Sequence, residues 1–392
     1  DAELHSTLRR RVLLVLARLT GCSSSGQWSS GGAGSAGAPL SSQQEALGGL
    51  LYDNWLLDVP KILDVCAIFR HSSNSVLING LVSQIFRLNE GYWEDLLNAV
   101  PIMTSNITQL SQRRLVGMAP AEVGDLVQYC ADSLYTLDSF LNSFPDAVPA
   151  FEGHSFVQFL AAVYSSSALL ELTASAGGGG SGGKAKGKGK GKKAAAHQAV
   201  EYDSAVVSRA AWARGYALSL GHTVLKTYYL DPLLSCSPSP ECPCVPALDA
   251  NAVADTLYAL LSALAEERGD DADGFDDDGF LCHYAMKYGL VDTLRQCRGM
   301  KSCALDPARC SHWESVLEEM CSNSFVESDA VKKAAEAELA ASRTGPASFA
   351  DGDMATRLSL IAQIKDMFPE LGDGFLDAAL KACGNDVERV TM

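Results

Sequence analysis

The chain has 392 residues, of which 47% are apolar and 20% are charged, and its formal net charge is −16. This length and apolar content allow two or three domains with cores of their own, which excludes disorder as a description of the whole chain. Six lysines lie in one tract from Lys184 to Lys193, so the rest of the chain carries −22 and repels phosphate backbones. The composition therefore predicts no direct sequence-specific nucleic-acid binding by the folded part.

Apolar residues recur three or four positions apart along most of the sequence, which is the spacing of one face of an α-helix. Between Tyr52 and Phe69, for example, Leu56, Val59 and Leu63 follow this spacing. The same pattern predicts helical segments at residues 75–88, 92–100, 122–144, 155–172, 205–230, 251–267, 280–294 and 313–325. No segment shows a convincing strand alternation. The predicted fold class is all-α, with a large multi-helix body followed by a small three-helix bundle.

Three changes of composition divide the chain. The second of them, the Gly/Lys-rich stretch 174–198, is predicted to interrupt one domain, because similar helical patterns continue on both sides. The predicted organisation is an N-terminal helix of the body (1–21), a flexible Gly/Ser insertion (22–42), the first part of the helical body (43–173), a disordered Gly/Lys linker (174–198), the second part of the body (199–338), a linker (339–354) and the C-terminal bundle (355–392).

The N-terminal segment RRRVLLVLARL shares its basic start and apolar run with a signal peptide. Arg18 interrupts the apolar run, however, and no small-residue cleavage site follows, so we interpret this segment as an amphipathic helix. No stretch approaches the ~18 apolar residues that a membrane helix needs, and no membrane partner is predicted. Because the chain starts at Asp1 and ends at Met392 within a predicted helix, we expect further residues at both ends.

The chain has twelve cysteines, and none of them forms a C-x-x-C pair. Cys66 and Cys130 lie inside apolar runs, where a free cysteine behaves as a small core residue. This usage is typical of a reducing compartment. We expect the protein to act in the nucleus and the cytoplasm.

The Gly-rich linker contains the spacing of a phosphate-binding loop, from Gly178 to Lys184. Such a loop needs Ser or Thr after the lysine to hold magnesium, together with a preceding strand and a following helix. Ala185 occupies that position, and the surrounding sequence is of low complexity. Nucleotide binding is therefore not predicted.

Six aspartates lie between Asp270 and Asp278. A calcium loop that started at Asp271 would need an oxygen ligand at its fifth position and glycine at its sixth. Those positions hold Phe275 and Asp276. We interpret the segment as a solvated acidic loop.

Cysteine and histidine are concentrated in the second half of the body, at Cys236, Cys242, Cys244, Cys282, His283, Cys297, Cys303, Cys310 and His312. A structural zinc site needs paired ligands two to four residues apart, and the spacing here does not provide two such pairs. We therefore predict no catalytic residue, no metal ligand and no cofactor. A metal-binding helical protein that uses this Cys/His-rich region, or a phosphate tether formed by the Lys-rich linker, remains the alternative interpretation.

The last forty or so residues form a module with its own helix boundaries, too small to bury all of its apolar side chains. A helix over residues 355–368 ends at Pro369, because proline fits poorly inside a helix. This leaves Met367, Phe368 and Pro369 at an exposed helix end, where an apolar patch typically binds a partner. The alternative is that Met367 and Phe368 belong to the core of the module.

The segment QIKDMFPELGDGFLDAALKACGNDVERV (residues 363–390) resembles the CUE domain, a three-helix ubiquitin-binding module with a Met-Phe-Pro motif after its first helix. The resemblance implies that Met367, Phe368 and Pro369 contact the hydrophobic patch of ubiquitin. The family uses a second contact, a di-leucine near the end of helix three. The chain stops at Met392, before that pair is expected, so the CUE module is predicted to be truncated in helix three.

A wider resemblance, carried by the segment WLLDVPKILDVCAIF (Trp55–Phe69) and by the order of a large helical body and a late CUE domain, is to a CUE-domain subunit of a helicase-containing complex. It implies a non-catalytic adaptor whose body binds the large helicase subunit and whose CUE domain binds ubiquitin or polyubiquitin chains. It also implies recruitment to alkylation-damaged DNA or stalled ribosomes. Within the body, we interpret Trp55, Leu56 and Leu57 as core residues, with an interface as the alternative.

Overall fold

The computed structural model describes residues 11–18, 40–71, 74–177, 202–266, 278–300 and 303–322. Across these ranges the protein is almost entirely helical, and the β-pairing within them is a single isolated bridge between Cys242 and Val245. The predicted all-α class is confirmed. The helices are α1 (11–18), α2 (Ser42–Asp53), α3 (Val59–Phe69), α4 (Ser75–Leu88), α5 (Gly91–Ser111), α6 (Pro120–Ser143), α7 (Val148–Glu152), α8 (Phe156–Tyr164), α9 (Ser167–Gly177), α10 (Ser204–Val224), α11 (Asp231–Ser235), α12 (Ala250–Glu266), α13 (Gly279–Tyr288), α14 (Leu290–Gly299) and α15 (Pro307–Ser322).

The described residues form two compact units, and the division falls within α5, between Leu96 and Leu97. The first unit contains the residues up to Leu96, and the second contains those from Leu97 onward. The sequence pattern predicts no division at this place, because the apolar spacing continues through it. The domain boundaries expected from composition stay predictions.

In the first unit, α2 and α3 both pack on α4. Helix α4 is the segment that the apolar spacing predicted, with the same bounds, and Ile78, Leu81 and Val82 on its inner face have no exposed surface. Helix α2 begins at a capping box, in which Ser41 and the side chain of Gln44 satisfy each other's backbone N–H groups.

Close packing at the ends of the helices holds this unit together. Gly48 of α2 lies against the backbone of Leu88, where a Cβ atom would come within 2.1 Å of the Leu88 carbonyl oxygen. The ring of Tyr92 meets that of Tyr52 edge-on at 5.0 Å, and its hydroxyl donates a buried hydrogen bond of 3.0 Å to the carbonyl of Leu57. The Tyr92 side chain therefore connects the start of α5 to the segment between α2 and α3.

In the second unit, the long helix α6 packs along α10, and α10 also packs on α8 and α9. Val123, Val127 and Leu134 on the inner face of α6 are fully buried. Helices α13 and α14 pack on α15. Cys130 lies on α6 with no exposed surface, and Cys66 lies likewise on α3 in the first unit. Their predicted role as core residues is confirmed.

Three predicted helical segments are interrupted. The segment from Tyr52 to Phe69 is broken between α2 and α3, and residues 155–172 are broken between α8 and α9. Residues 280–294 change direction at Gly289, whose φ of 65° ends α13 in the left-handed conformation that glycine adopts at low cost. Residues 205–230 are continuous, but their last turn, Leu225–Leu230, is π-helical.

Across the described residues, no single helix has both the length and the apolar content to cross a membrane, while α8 and the start of α9, bent by 43°, pass that test as a pair.

Candidate functional site

The predicted ubiquitin contacts Met367, Phe368 and Pro369 lie outside the described residues, and so does the rest of the C-terminal module. The lysine tract from Lys184 to Lys193 also lies outside them. These assignments stay predictions. The described residues do provide a candidate partner-binding surface on the body.

This surface is the segment Asn54–Asp58, which we call the α2–α3 corner. Trp55 and Leu56 are 69% and 52% exposed, whereas the next residue, Leu57, is only 6% exposed. The interpretation of this stripe as core is therefore wrong for Trp55 and Leu56 and right for Leu57. The chain leaves the helix after Asp53, so helical spacing no longer determines which of these three residues is buried.

Two local signals explain the break between α2 and α3. The side chain of Asp58 accepts a hydrogen bond from the backbone N–H of Lys61 at 2.9 Å, which makes Asp58 the N-cap of α3. Pro60 lies in the first turn of α3, where a missing N–H costs nothing. An Asp followed two residues later by Pro is a helix start signal. The apolar spacing nevertheless predicted one continuous helical segment across this position.

The backbone of the α2–α3 corner is held in an unusual conformation. Trp55 has a φ of +55°, in the left-handed region that a bulky side chain rarely adopts. Its N–H donates to the carbonyl of Tyr52 at 3.0 Å, and its own carbonyl accepts from Nζ of Lys61 at 2.7 Å. The N–H of Leu57 donates to the carbonyl of Leu51 at 3.2 Å. These hydrogen bonds fix the backbone on both sides of Trp55.

A second surface feature lies in the second unit, between the end of α5 and α6. It is an open groove of about 660 Å³, and the residues that line it include Leu110, Met118 and Tyr129 together with Arg113 and Arg114. Two carboxylates on α6 also line it. The groove therefore has mixed charge, and its chemistry favours no single class of ligand.

The Cys/His-rich region contains one convergence of thiols. Cys303 and Cys310 lie near Cys297, and both thiols raise the pKa of Cys297. Burial, followed by the neighbouring Cys303 thiol, raises the pKa of Cys297 to about 12. A thiol with such a pKa is a poor nucleophile at neutral pH. Within the described ranges, no three His, Cys, Asp or Glu side chains converge to hold a metal ion.

The acidic loop is only partly described, and its last aspartate differs from the expectation. Asp278 is 1% exposed rather than solvated, and its carboxylate lies 3.9 Å from Nε2 of His283. The other ring nitrogen of His283 is 2.8 Å from the hydroxyl of Tyr164. An acid, a histidine and a hydroxyl in series occur in catalytic relays. Here Tyr164 and His283 are themselves buried, so this row connects α8 to α13 and presents no reactive group to a substrate.

A second buried polar contact joins the end of α7 to the π-helical turn. The Tyr229 hydroxyl donates a hydrogen bond of 2.5 Å to Oε1 of Glu152. Oε2 of Glu152 is buried and has no hydrogen-bond partner in the described part of the chain. Burial raises the pKa of Glu152 to about 7, although the hydrogen bond from Tyr229 opposes the shift. Tyr229 is buried and Glu152 is half-buried, and we expect the contact between them to affect stability.

The described helices and the C-terminal sequence together indicate a helical protein that contains a CUE domain. The CUE domain family matches residues 357–391, which include Met367, Phe368 and Pro369. This match confirms the predicted resemblance of the C-terminal segment.

The chain is similar to the same subunit of one complex in two organisms. It is 27% identical over 404 residues to activating signal cointegrator 1 complex subunit 2 of Homo sapiens and 27% identical over 390 residues to the same subunit of Mus musculus. Each alignment covers 88% of this chain and 47% of the relative, so the chain spans about half the length of these relatives. They confirm the wider resemblance to a CUE-domain subunit.

A solved structure shows the same fold. A chain in the crystal structure of a DNA repair complex, ASCC3–ASCC2, superposes with a TM-score of 0.58 at 22% sequence identity. The superposition covers 81% of this chain and 70% of the other. At this identity the likeness establishes the architecture of the helical body and nothing finer.

Proposed function

We propose that the protein is a non-catalytic adaptor subunit. Its CUE domain binds ubiquitin or polyubiquitin chains through Met367, Phe368 and Pro369, and its helical body binds a large helicase subunit of the same complex. The observation that carries this proposal is the CUE match across the Met-Phe-Pro motif, in a chain whose body has the fold of a chain in the ASCC3–ASCC2 complex. The adaptor acts in the nucleus and the cytoplasm and brings the helicase to alkylation-damaged DNA or stalled ribosomes.

The chemistry of the motif fits a recruiting role. A contact that buries roughly 400 Å² gains on the order of 10 kcal/mol at ~25 cal/mol per Å². Association costs of about 4–15 kcal/mol offset most of this gain. A single ubiquitin is therefore held weakly, and chains of ubiquitin gain by avidity. This arrangement makes recruitment depend on the presence of a chain rather than of one ubiquitin.

The helicase part of the proposal has separate support. The solved complex with the same fold contains ASCC3 beside ASCC2, and the body of this chain presents exposed apolar side chains at the α2–α3 corner. The acidic body is unsuited to holding nucleic acid by itself. A separate helicase subunit would supply that contact.

The test is a pull-down of Lys-linked ubiquitin chains by the full-length protein, compared with the double variant Met367→Ala and Phe368→Ala. We expect the double variant to lose chain binding because it removes the apolar contacts, while its circular dichroism spectrum stays unchanged. Lys381→Ala, a polar change in the same segment, serves as the control and retains binding. Full retention of chain binding by the double variant would show that the site is wrongly assigned.

A further inference from the structure

The α2–α3 corner combines exposure with a fixed geometry. Single exposed hydrophobic residues are common on protein surfaces and need no explanation. Here two large apolar residues are adjacent and exposed, and the backbone of Trp55 is held in a strained left-handed conformation by hydrogen bonds from its neighbours. Strained backbone persists where the surrounding structure over-determines it, and it is concentrated at functional sites.

The strain has a structural consequence for binding. Because the backbone of Trp55 is already fixed, no backbone freedom at this residue has to be lost when its side chain enters a partner's pocket, which lowers the entropic cost of association. Tryptophan is also among the residues that most often dominate the energy of an interface. Trp55 therefore has the properties of a pre-organised anchor, with Leu56 extending the apolar contact.

The charges around the corner indicate the chemistry of the partner. The hydroxyl of Tyr52, one turn before Trp55, is hydrogen-bonded to Asp95 and lies in the field of Glu94 and Asp53. Asp58, the N-cap of α3, places another carboxylate at the other end of the α2–α3 corner. The corner's own cation, Lys61, is engaged by the Asp58 carboxylate at 2.8 Å. The apolar anchor thus lies in an acidic setting.

These charges distinguish between the occupants that could cover such a surface. An anionic membrane surface would be repelled by the carboxylates. A second copy of this chain would bring the same acidic corner against itself, at a net charge of −16 for each copy. A protein surface with an apolar pocket and a basic rim is the complementary occupant.

We propose that Trp55 and Leu56 anchor a protein–protein interface, and that the partner supplies an apolar pocket rimmed by lysine or arginine side chains. The inference rests on the proposed function, since it places the helicase subunit's contact at this corner. It adds to that function a named surface, two anchoring side chains and the charge of the opposing surface.

The experiment measures the affinity of the full-length protein for the purified counterpart of ASCC3 from the same organism, by isothermal titration calorimetry. We expect the double variant Trp55→Ala and Leu56→Ala to bind about thirtyfold or more weakly, the loss typical of an interface anchor. Asp53→Lys is expected to weaken binding as well, and the affinity of the unsubstituted protein is expected to fall as salt is raised. Trp212→Ala is the matched control, because Trp212 is an exposed tryptophan, at 59%, in the second unit.

A second substitution separates binding from folding. In Trp55→Gly the left-handed backbone is adopted without strain, so we expect an unchanged or higher melting temperature together with the same loss of affinity. Trp55→Phe retains an aromatic anchor and is expected to recover part of the binding. Ubiquitin-chain binding is expected to be unchanged in all of these variants.

Three results would overturn the inference. If the Trp55 and Leu56 variants bind the helicase subunit as tightly as the unsubstituted protein does, the corner is not the anchor, although the proposed function stands. If Trp212→Ala loses affinity while the Trp55 variants keep it, the contact lies on the second unit. If the unsubstituted protein does not bind the helicase subunit at all, both the inference and the helicase part of the proposed function are wrong.

Discussion

Replacing Glu152 by glutamine removes the ionisation of a carboxyl group that the fold buries. Burial raises the pKa of Glu152 from a reference value of 4.5 to about 7, and the Tyr229 hydroxyl donates to Oε1. Because the folded state has the higher pKa, it binds the proton more tightly than the unfolded state does. The stability linked to this proton is fully present below pH 4.5 and is lost as the pH rises through about 7.

The size of the effect follows from the shift in pKa. A difference of roughly 2.5 pH units at ~1.4 kcal/mol per unit corresponds to roughly 3 kcal/mol. Glutamine has the same shape, and its carbonyl oxygen can still accept from Tyr229, but it carries no charge to desolvate. We therefore expect Glu152→Gln to be close to the unsubstituted protein in stability at low pH and more stable by up to roughly 3 kcal/mol above pH 7.

The assay is urea unfolding followed by circular dichroism, repeated at intervals between about pH 5.5 and about pH 8.5, with the free energy of unfolding plotted for both proteins. The control is Glu241→Gln, which changes an exposed glutamate of the same unit and is expected to leave the pH dependence unaltered. If the difference in stability between Glu152→Gln and the unsubstituted protein does not change with pH, Glu152 is ionised in the folded protein at neutral pH and the reasoning from burial is wrong.

The remaining stability predictions concern the first unit. Gly48→Ala places a Cβ atom 2.1 Å from the carbonyl oxygen of Leu88, so we expect a loss of at least about 1–3 kcal/mol in the free energy of unfolding. Gly49→Ala is the matched control, because its Cβ atom meets its nearest neighbour at 3.4 Å, and we expect it to be neutral or slightly stabilising. Equal effects of the two substitutions would contradict the packing of Gly48 on Leu88. Tyr92→Phe removes the buried hydrogen bond to the Leu57 carbonyl, and we expect a loss of about 1–3 kcal/mol by urea unfolding. A neutral Tyr92→Phe variant would show that water replaces the hydroxyl.

The helical class was predictable because an amphipathic helix requires apolar residues three or four positions apart, and this spacing is visible in the sequence. The spacing of apolar residues from Ser75 to Leu88 predicts the bounds of α4 as the structure has them. The burial of Cys66 and Cys130 was predictable for the same reason, since both lie on apolar helical faces. The Met-Phe-Pro motif at 367–369 was recognisable as a contiguous pattern, and the match to the CUE family covers it.

The exposure of the α2–α3 corner could not be derived from apolar spacing. Trp55 and Leu56 continue the apolar spacing of the segment. They lie before the Asp58 cap, outside both helices, so this spacing no longer predicts that their side chains face the core. Asp58 and Pro60 are a helix start signal that the sequence does contain, and this signal predicts the break between α2 and α3. That the break leaves a tryptophan exposed depends on what packs nearby.

Asp278 differs from its prediction in the opposite sense. Its place in a run of aspartates predicts solvent exposure, yet it is buried beside His283. Asp278 and His283 are close in the sequence, but His283 is covered because α13 packs on α8, where its ring meets the hydroxyl of Tyr164. Neighbours that are 119 positions apart leave no periodic pattern.

The amino-acid sequence was sufficient to predict that this protein is all-α, which residues have the apolar spacing of helix faces, and that the chain contains a CUE-like segment, because each of these properties is encoded within a few turns of chain. The tertiary structure was needed to show which apolar faces are covered, that the body divides within α5, and that burial raises the pKa of Glu152. Burial depends on the helix that lies opposite, and that helix comes from a distant part of the chain.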